Sequence, residues 1–76
     1  MPFLIVKTDV RRERDVAAEL AKNTKVSEVY IITGEFDILA RIEAKDSIEA
    51  IDFVSGVLRG IEGIKETRLI FEKRIK

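Results

Sequence analysis

The sequence predicts an α+β domain with the element order β-α-β-β-α-β, and three observations carry that reading. First, the apolar run Val29-Tyr30-Ile31-Ile32 and the alternating run Phe36-Asp37-Ile38-Leu39-Ala40-Arg41-Ile42 meet at Gly34-Glu35, the pattern of two strands joined by a turn. Second, each side of this pair carries one further strand-like run and one helix-like run. Third, several strands are apolar on both faces, although two helices can cover only one face of a four-stranded sheet. Together these give the split βαβ arrangement of ferredoxin-like folds, a four-stranded antiparallel sheet with two helices on one face.

Taken in order, Phe3-Leu4-Ile5-Val6 is the first strand, with Pro2 at a position where no ladder donor is needed. Thr8-Asp9 then offers a helix cap. From Arg11 to Lys22, Val16, Ala17, Leu20 and Ala21 recur at helical spacing. The second strand spans Val26 to Thr33 and the third Phe36 to Ala44, joined at Gly34-Glu35 by a tight type II′ turn with positive φ at Gly34. In the third strand Phe36, Ile38, Ala40, Ile42 and Ala44 share one face. Asp46 followed by Glu49 forms a capping box for a second helix, about Ser47 to Arg59. Its apolar arc of Ala50, Ile51, Phe53, Val54, Val57 and Leu58 is wider than one sheet face requires. Gly60 or Gly63 supplies the left-handed residue that ends it, and the last strand runs from Ile64 to about Ile75.

A chain of 76 residues makes one small domain whose core alone is marginal. Small domains add disulfides, a metal or a partner subunit. With no Cys and no His, the first option and the commonest metal ligands are gone, so no metal or cofactor is expected and a second copy becomes the expected support. The two-faced sheet asks for the same thing, since a large exposed apolar patch is rare on a monomer. Lys plus Arg number 14 against 14 Asp plus Glu, a net charge of +0 without the basic excess of a nucleic-acid binder. The 37% charged fraction, with no Gln, no Cys and one Asn, resembles a heat-adapted composition. The sequence holds neither a membrane-spanning apolar run nor a signal peptide, so the cytoplasm is the expected compartment.

Catalytic chemistry finds little support. Ser27, Ser47 and Ser55 have no evident base, no glycine-rich phosphate loop is present, and Thr8-Asp9-Val10 is not an acylphosphatase-type phosphate cradle. The remaining candidate is Thr33-Gly34-Glu35-Phe36-Asp37. An acid beside a tight turn can hold an ammonium group, and uncrowded turn amides can hold a carboxylate. Equally, Gly34 can simply make the turn while Asp37 bonds nearby backbone.

The stretch from Val29 to Leu39 resembles the central signature of the Lrp/AsnC regulators, the Gly-x-Phe/Tyr-Asp hairpin of their RAM (regulation of amino-acid metabolism) effector domain. Gly60-Ile61-Glu62-Gly63-Ile64-Lys65-Glu66-Thr67 resembles the same domain's glycine, aliphatic, x, x, threonine entry into its last strand. The likeness covers Phe3 to about Glu72. It implies a dimeric α+β barrel in which two sheets oppose each other, rings of four dimers, and an amino-acid effector bound between dimers. It places Gly34, Phe36 and Asp37 at the ligand, with Thr33 and Thr67 beside them. The family's helix-turn-helix is missing, because strand one begins at residue 3. Residues 1–76 are therefore read as a single RAM domain with no DNA-binding domain. Such a module would not bind operator DNA or a membrane, and would modulate transcription by co-assembly with full-length regulators. An ACT-like small-molecule-binding module and a small dimeric α+β barrel enzyme are the alternatives.

Overall fold

A computed structural model of the chain describes residues 2–76. The order is β1 (Pro2–Thr8), α1 (Glu13–Ala21), β2 (Val26–Ile31), β3 (Ile38–Ile42), α2 (Ser47–Gly60) and β4 (Ile64–Phe71). The strands form one antiparallel sheet in the order β2-β3-β1-β4, with both helices on one face, as the sequence predicts.

Register follows from burial. Leu4 faces Ala40 on β3 and Leu69 on β4, and Val6 faces Ile38 and Thr67, which turns alternate residues of three strands toward the helices. Leu4, Val6, Ile38, Ala40 and Ile42 meet Val16 and Leu20 of α1 and Val57 of α2 in a single buried cluster. Each large aliphatic side chain there stabilises the fold by about 1.5–3 kcal/mol relative to exposure. The opposite face carries Phe3, Ile5, Tyr30, Leu39 and Ile70, interspersed with Arg41 and Arg68, and no helix covers it. The Arg41 guanidinium lies 5.3 Å from the Phe3 ring centroid, and its Nε is 3.9 Å from Glu28. The Tyr30 hydroxyl hydrogen-bonds the Glu28 carboxylate, and that acceptor, with its negative charge, raises the phenol's pKa above its ordinary value.

Four local expectations are corrected. The β2–β3 junction is not a two-residue type II′ turn. It is a six-residue connection, residues 32–37, closed by Ile32 N–H donating to Asp37 C=O at 2.9 Å. On its other side Asp37 N–H donates to Val6 C=O at 2.9 Å, although Val6 is already the register partner of Ile38. Gly34 does take positive φ, 110°, at the exposed tip. Helix α1 starts at Glu13, with Arg12 at its N-cap and no side-chain cap, because Thr8 is the last residue of β1. Only Val16 and Leu20 of its predicted stripe are buried, and Ala21 is exposed. At the end of α2, Gly60 is still helical and Ile61 is extended. The left-handed residue is Gly63, φ 91°, one turn later. Finally, β4 ends at Phe71 rather than Ile75, its last described pair being Phe71 with Pro2. The Asp46 cap is as expected: its Oδ1 accepts from Glu49 N–H at 2.8 Å.

Candidate functional cleft at the end of the central strands

The site is built where β1 runs out. The backbone from Asp9 to Arg12 turns back on itself, with Arg12 N–H donating to Asp9 C=O at 3.0 Å and Arg11 at φ 67°. Positive φ at the third residue of a turn marks type II geometry and is ordinarily reserved for Gly or Asn. Arginine there costs roughly 1–2 kcal/mol. The loop tolerates that strain because both its ends are pinned: Asp9 N–H donates to Gly63 C=O at 2.8 Å, and Val16 N–H to Arg12 C=O at 2.9 Å.

Asp37 sits opposite this loop. Its Oδ2 accepts from Thr8 N–H at 2.8 Å and from the Thr8 hydroxyl at 3.4 Å. The carboxylate thus continues the β1–β3 ladder by one rung where backbone pairing stops at Val6 and Ile38. Thr8 is a buried polar residue, and this contact satisfies it.

Around these two residues lies an open cleft of about 490 Å³. Lys7, Asp9, Val10, Arg11 and Glu13 line one side, and Ile31, Ile32 and Glu35 the other, with Lys65 of β4 also contributing. Among the described residues, none of Lys7, Arg11, Lys65, Asp9, Glu13 and Glu35 is held in an ion pair. Cations and carboxylates therefore stand uncommitted around one concavity that also has an aliphatic patch. A zwitterion with an attached side chain is the kind of small molecule such a lining can hold, since each charge finds a complementary partner.

Of the residues that the resemblance places at the ligand, only Asp37 lines this cleft, joined by Glu35 of the same candidate stretch. Thr33 and Gly34 belong to the adjoining connection, with Gly34 exposed at its tip. Phe36 is buried instead, its ring under the Arg68 guanidinium at 5.1 Å, and it braces the connection. Thr67 lies on β4 opposite Val6, so β1 separates it from Asp37. Sequence reasoning missed Lys7, Arg11 and Lys65, the cations of the cleft. Nothing in Thr8-Asp9-Val10-Arg11 marks a left-handed turn, and the segment reads as a helix cap.

A larger concavity, about 670 Å³, separates the C-terminal end of α1 from α2. Four of its five charged residues are committed, Lys25 pairing with Glu49 at 2.8 Å and Lys22 with Glu19 at 3.0 Å, and only Asp52 is left over. Size alone favours it, but the uncommitted charges favour the cleft at Asp37. Among the described residues, no cluster of three or more His, Cys, Asp or Glu could hold a metal ion, and no helix is long and apolar enough to cross a membrane.

Comparison with known proteins agrees with this architecture. The transcriptional regulator FL11 of Pyrococcus horikoshii is 35% identical over 65 residues, which are 83% of this chain and 43% of the regulator. The chain thus spans less than half the length of that curated relative. The crystal structure of TTHA0845 from Thermus thermophilus superposes with a TM-score of 0.87 at 27% identity, covering 99% of this chain and 94% of that one. The transcriptional regulator NMB0573 of Neisseria meningitidis, solved as its L-Met complex, gives a TM-score of 0.81 at 26% identity over 99% of this chain and 51% of its own. The family model described as the Lrp/AsnC ligand binding domain matches residues 3–74, and to that family the chain belongs.

Proposed function

We infer that this domain binds a free amino acid in the cleft at Asp37 and passes that binding to an oligomer, as the effector-sensing part of Lrp/AsnC-type regulation rather than as an enzyme. The observation that carries the reading is the set of unpaired charges of both signs around the Asp37–Thr8 clip. The L-Met complex of the Neisseria regulator supports the ligand class. Asp37 and the acids beside it receive the ammonium. Arg11, Lys7 or Lys65 receives the carboxylate, and Val10 with Ile31 contacts the side chain. Gly34, Thr33 and Phe36 set the shape of the connection, and Thr67 supports β1 from the other side.

A thermal-shift screen against the standard amino acids tests this directly, since a ligand that binds only the folded state raises Tm. At least one amino acid is expected to raise it in a dose-dependent way, and a flat response across the set at millimolar ligand contradicts the reading. Arg11 separates strain from binding. Arg11→Gly should raise the stability of the unliganded protein by about 1 kcal/mol, because glycine takes positive φ freely. It should also weaken the ligand about tenfold or more, the scale of a lost charged hydrogen bond. A stabilised variant with full affinity would remove Arg11 from the site.

The uncovered sheet face is the proposed homodimer surface, closing two sheets into an α+β barrel. Light scattering at micromolar protein should give at least a dimer mass, and a stable monomer would exclude the barrel. Assembly of four such dimers into a ring, and mixing with full-length Lrp/AsnC proteins, extend the same reading. The domain by itself should bind no DNA. Non-specific affinity scales with the phosphates that a basic surface neutralises, and 14 cations here are balanced by 14 acids. A gel shift by this 76-residue chain that weakens steeply with salt would contradict that expectation.

A further inference from the structure

We propose that the groove between α1 and α2 is a second small-molecule site, one that takes a long linear aliphatic amine with an ammonium group at each end. It lies on the helix side of the domain, away from the uncovered sheet face, and does not rest on the amino-acid reading.

The two helices run antiparallel along this groove. The concavity of about 670 Å³ holds Lys22 and Lys25 with Glu49 and Asp52, and a continuation of about 400 Å³ past Gly60 and Ile61 holds Arg12 and Asp15 with Glu62. Its floor is the core itself. Phe53, Val57 and Ile61 recur every fourth residue along α2 and its C-cap. Val57 belongs to the buried cluster, and the other two pack against it. Beside them runs the row Asp52, Gly56, Gly60 at the same spacing. Glycine inside a helix is less stable than alanine, and a close approach of another backbone is its ordinary use there. Here that use is missing: among the described residues nothing lies within 4 Å of a Cβ built on Gly56 or Gly60. The space they leave belongs to the groove, and it opens the apolar floor along its length.

The charges select the ligand. Three ion pairs cancel along the walls: Arg12 with Asp15 at 3.4 Å, Lys22 with Glu19 at 3.0 Å and Lys25 with Glu49 at 2.8 Å. What remains is Asp52 toward one end and Glu62 at the other, and among the described residues neither is held in an ion pair. Every cation of the lining is paired, so a free amino acid finds an acceptor for its ammonium group but no partner for its carboxylate. Two separated negative charges over an apolar floor call for positive charge at both ends and methylenes between them. The span agrees. A helical rise of about 1.5 Å per residue puts Gly60 about 12 Å beyond Asp52, with Glu62 just past the helix end. An extended chain advances about 1.1–1.2 Å per bond, so ammonium groups about nine or ten bonds apart reach both acids. Octamethylenediamine and spermidine have that reach.

Titration calorimetry at fixed ionic strength tests this. Octamethylenediamine and spermidine are expected to bind saturably. Tetramethylenediamine carries the same two charges as octamethylenediamine but should bind at least tenfold more weakly, because it reaches one acid and loses half of the methylenes. Asp52→Asn and Glu62→Gln should each weaken octamethylenediamine about fivefold, the scale of an exposed ion pair. Gly56→Leu should abolish binding by filling the middle of the groove, and since that position is open the variant should melt in urea no earlier than wild type. If the leucine variant fails to fold, the two charge variants, at exposed positions, decide. None of the three residues lines the cleft at Asp37, so the result does not depend on whether an amino acid binds there. Equal affinity for the two diamines overturns the proposal. So does octamethylenediamine binding that survives both charge variants, or a folded Gly56→Leu protein, at full strength.

Discussion

Replacing Asp37 by asparagine is expected to weaken amino-acid binding by roughly 1.5–3 kcal/mol while leaving the fold close to its native stability. The two effects separate because the carboxylate has two tasks. Its Oδ2 accepts from Thr8 N–H and the Thr8 hydroxyl, joining the ends of β1 and β3. An asparagine carbonyl oxygen can take over that acceptance, so the clip survives. What asparagine lacks is the negative charge facing the cleft, the part an ammonium group requires. Asp37→Ala removes both. Thr8 is buried, so the alanine variant leaves its amide without an acceptor and should lose a further 1–3 kcal/mol or so of folding stability. Titration calorimetry with the amino acid found by thermal shift, paired with urea melts of both variants, reads the two tasks apart. Full affinity in the asparagine variant would reduce Asp37 to a strand clip and move the ammonium site to Asp9, Glu13 or Glu35.

Residue patterns foretold the fold well where packing is periodic and poorly where the chain changes direction. Alternation in Ile38, Ala40 and Ile42, and in Thr67, Leu69 and Phe71, survives as the observed faces of β3 and β4, because burial on one side of a sheet leaves little choice of register. The β2–β3 junction was misjudged for a tertiary reason. Glycine in an apolar context signals a tight hairpin, but Phe36 turns under Arg68 and Asp37 is held by β1 through both its N–H and its carboxylate. The last strand stops at Phe71 although the apolar alternation runs on to Ile75, so alternation alone does not mark a strand's end. The site was half legible. Asp37 stands out beside a glycine turn, whereas the cations arrive from β1, the β1–α1 loop and β4. Only topology brings these together, and the strained turn at Arg11 uses a residue that does not advertise positive φ.

The glycine at position 63 should prove far less replaceable than the others. Gly63→Ala is expected to cost about 2–5 kcal/mol, the sum of a backbone and a packing contribution. Its φ of 91° is a conformation that a residue with a Cβ adopts at a cost of roughly 1–2 kcal/mol. A Cβ built there would stand 3.1 Å from Arg12 Cβ and 3.3 Å from Val16 Cγ2. Val16 is fully buried and cannot yield, so overpacking of the kind that costs about 1–3 kcal/mol follows. Two other glycines calibrate the measurement. Gly34 has φ of 110° but nothing within 4 Å of a built Cβ, so Gly34→Ala should show the backbone cost alone. Gly56 is helical with open space around it, and Gly56→Ala should stabilise the domain by about 0.5–1 kcal/mol. Since 1 kcal/mol shifts Tm by roughly 4–8 °C in a domain of this size, calorimetric melts should rank the variants with Gly56→Ala above wild type, Gly34→Ala below it and Gly63→Ala lowest. Because Gly63 C=O also accepts from Asp9 N–H, the Gly63 variant should loosen the loop that carries Arg11 and lose ligand affinity along with stability. A Gly63→Ala protein that melts with Gly34→Ala would mean that α1 can shift away from the turn, and that the cleft does not depend on their close approach.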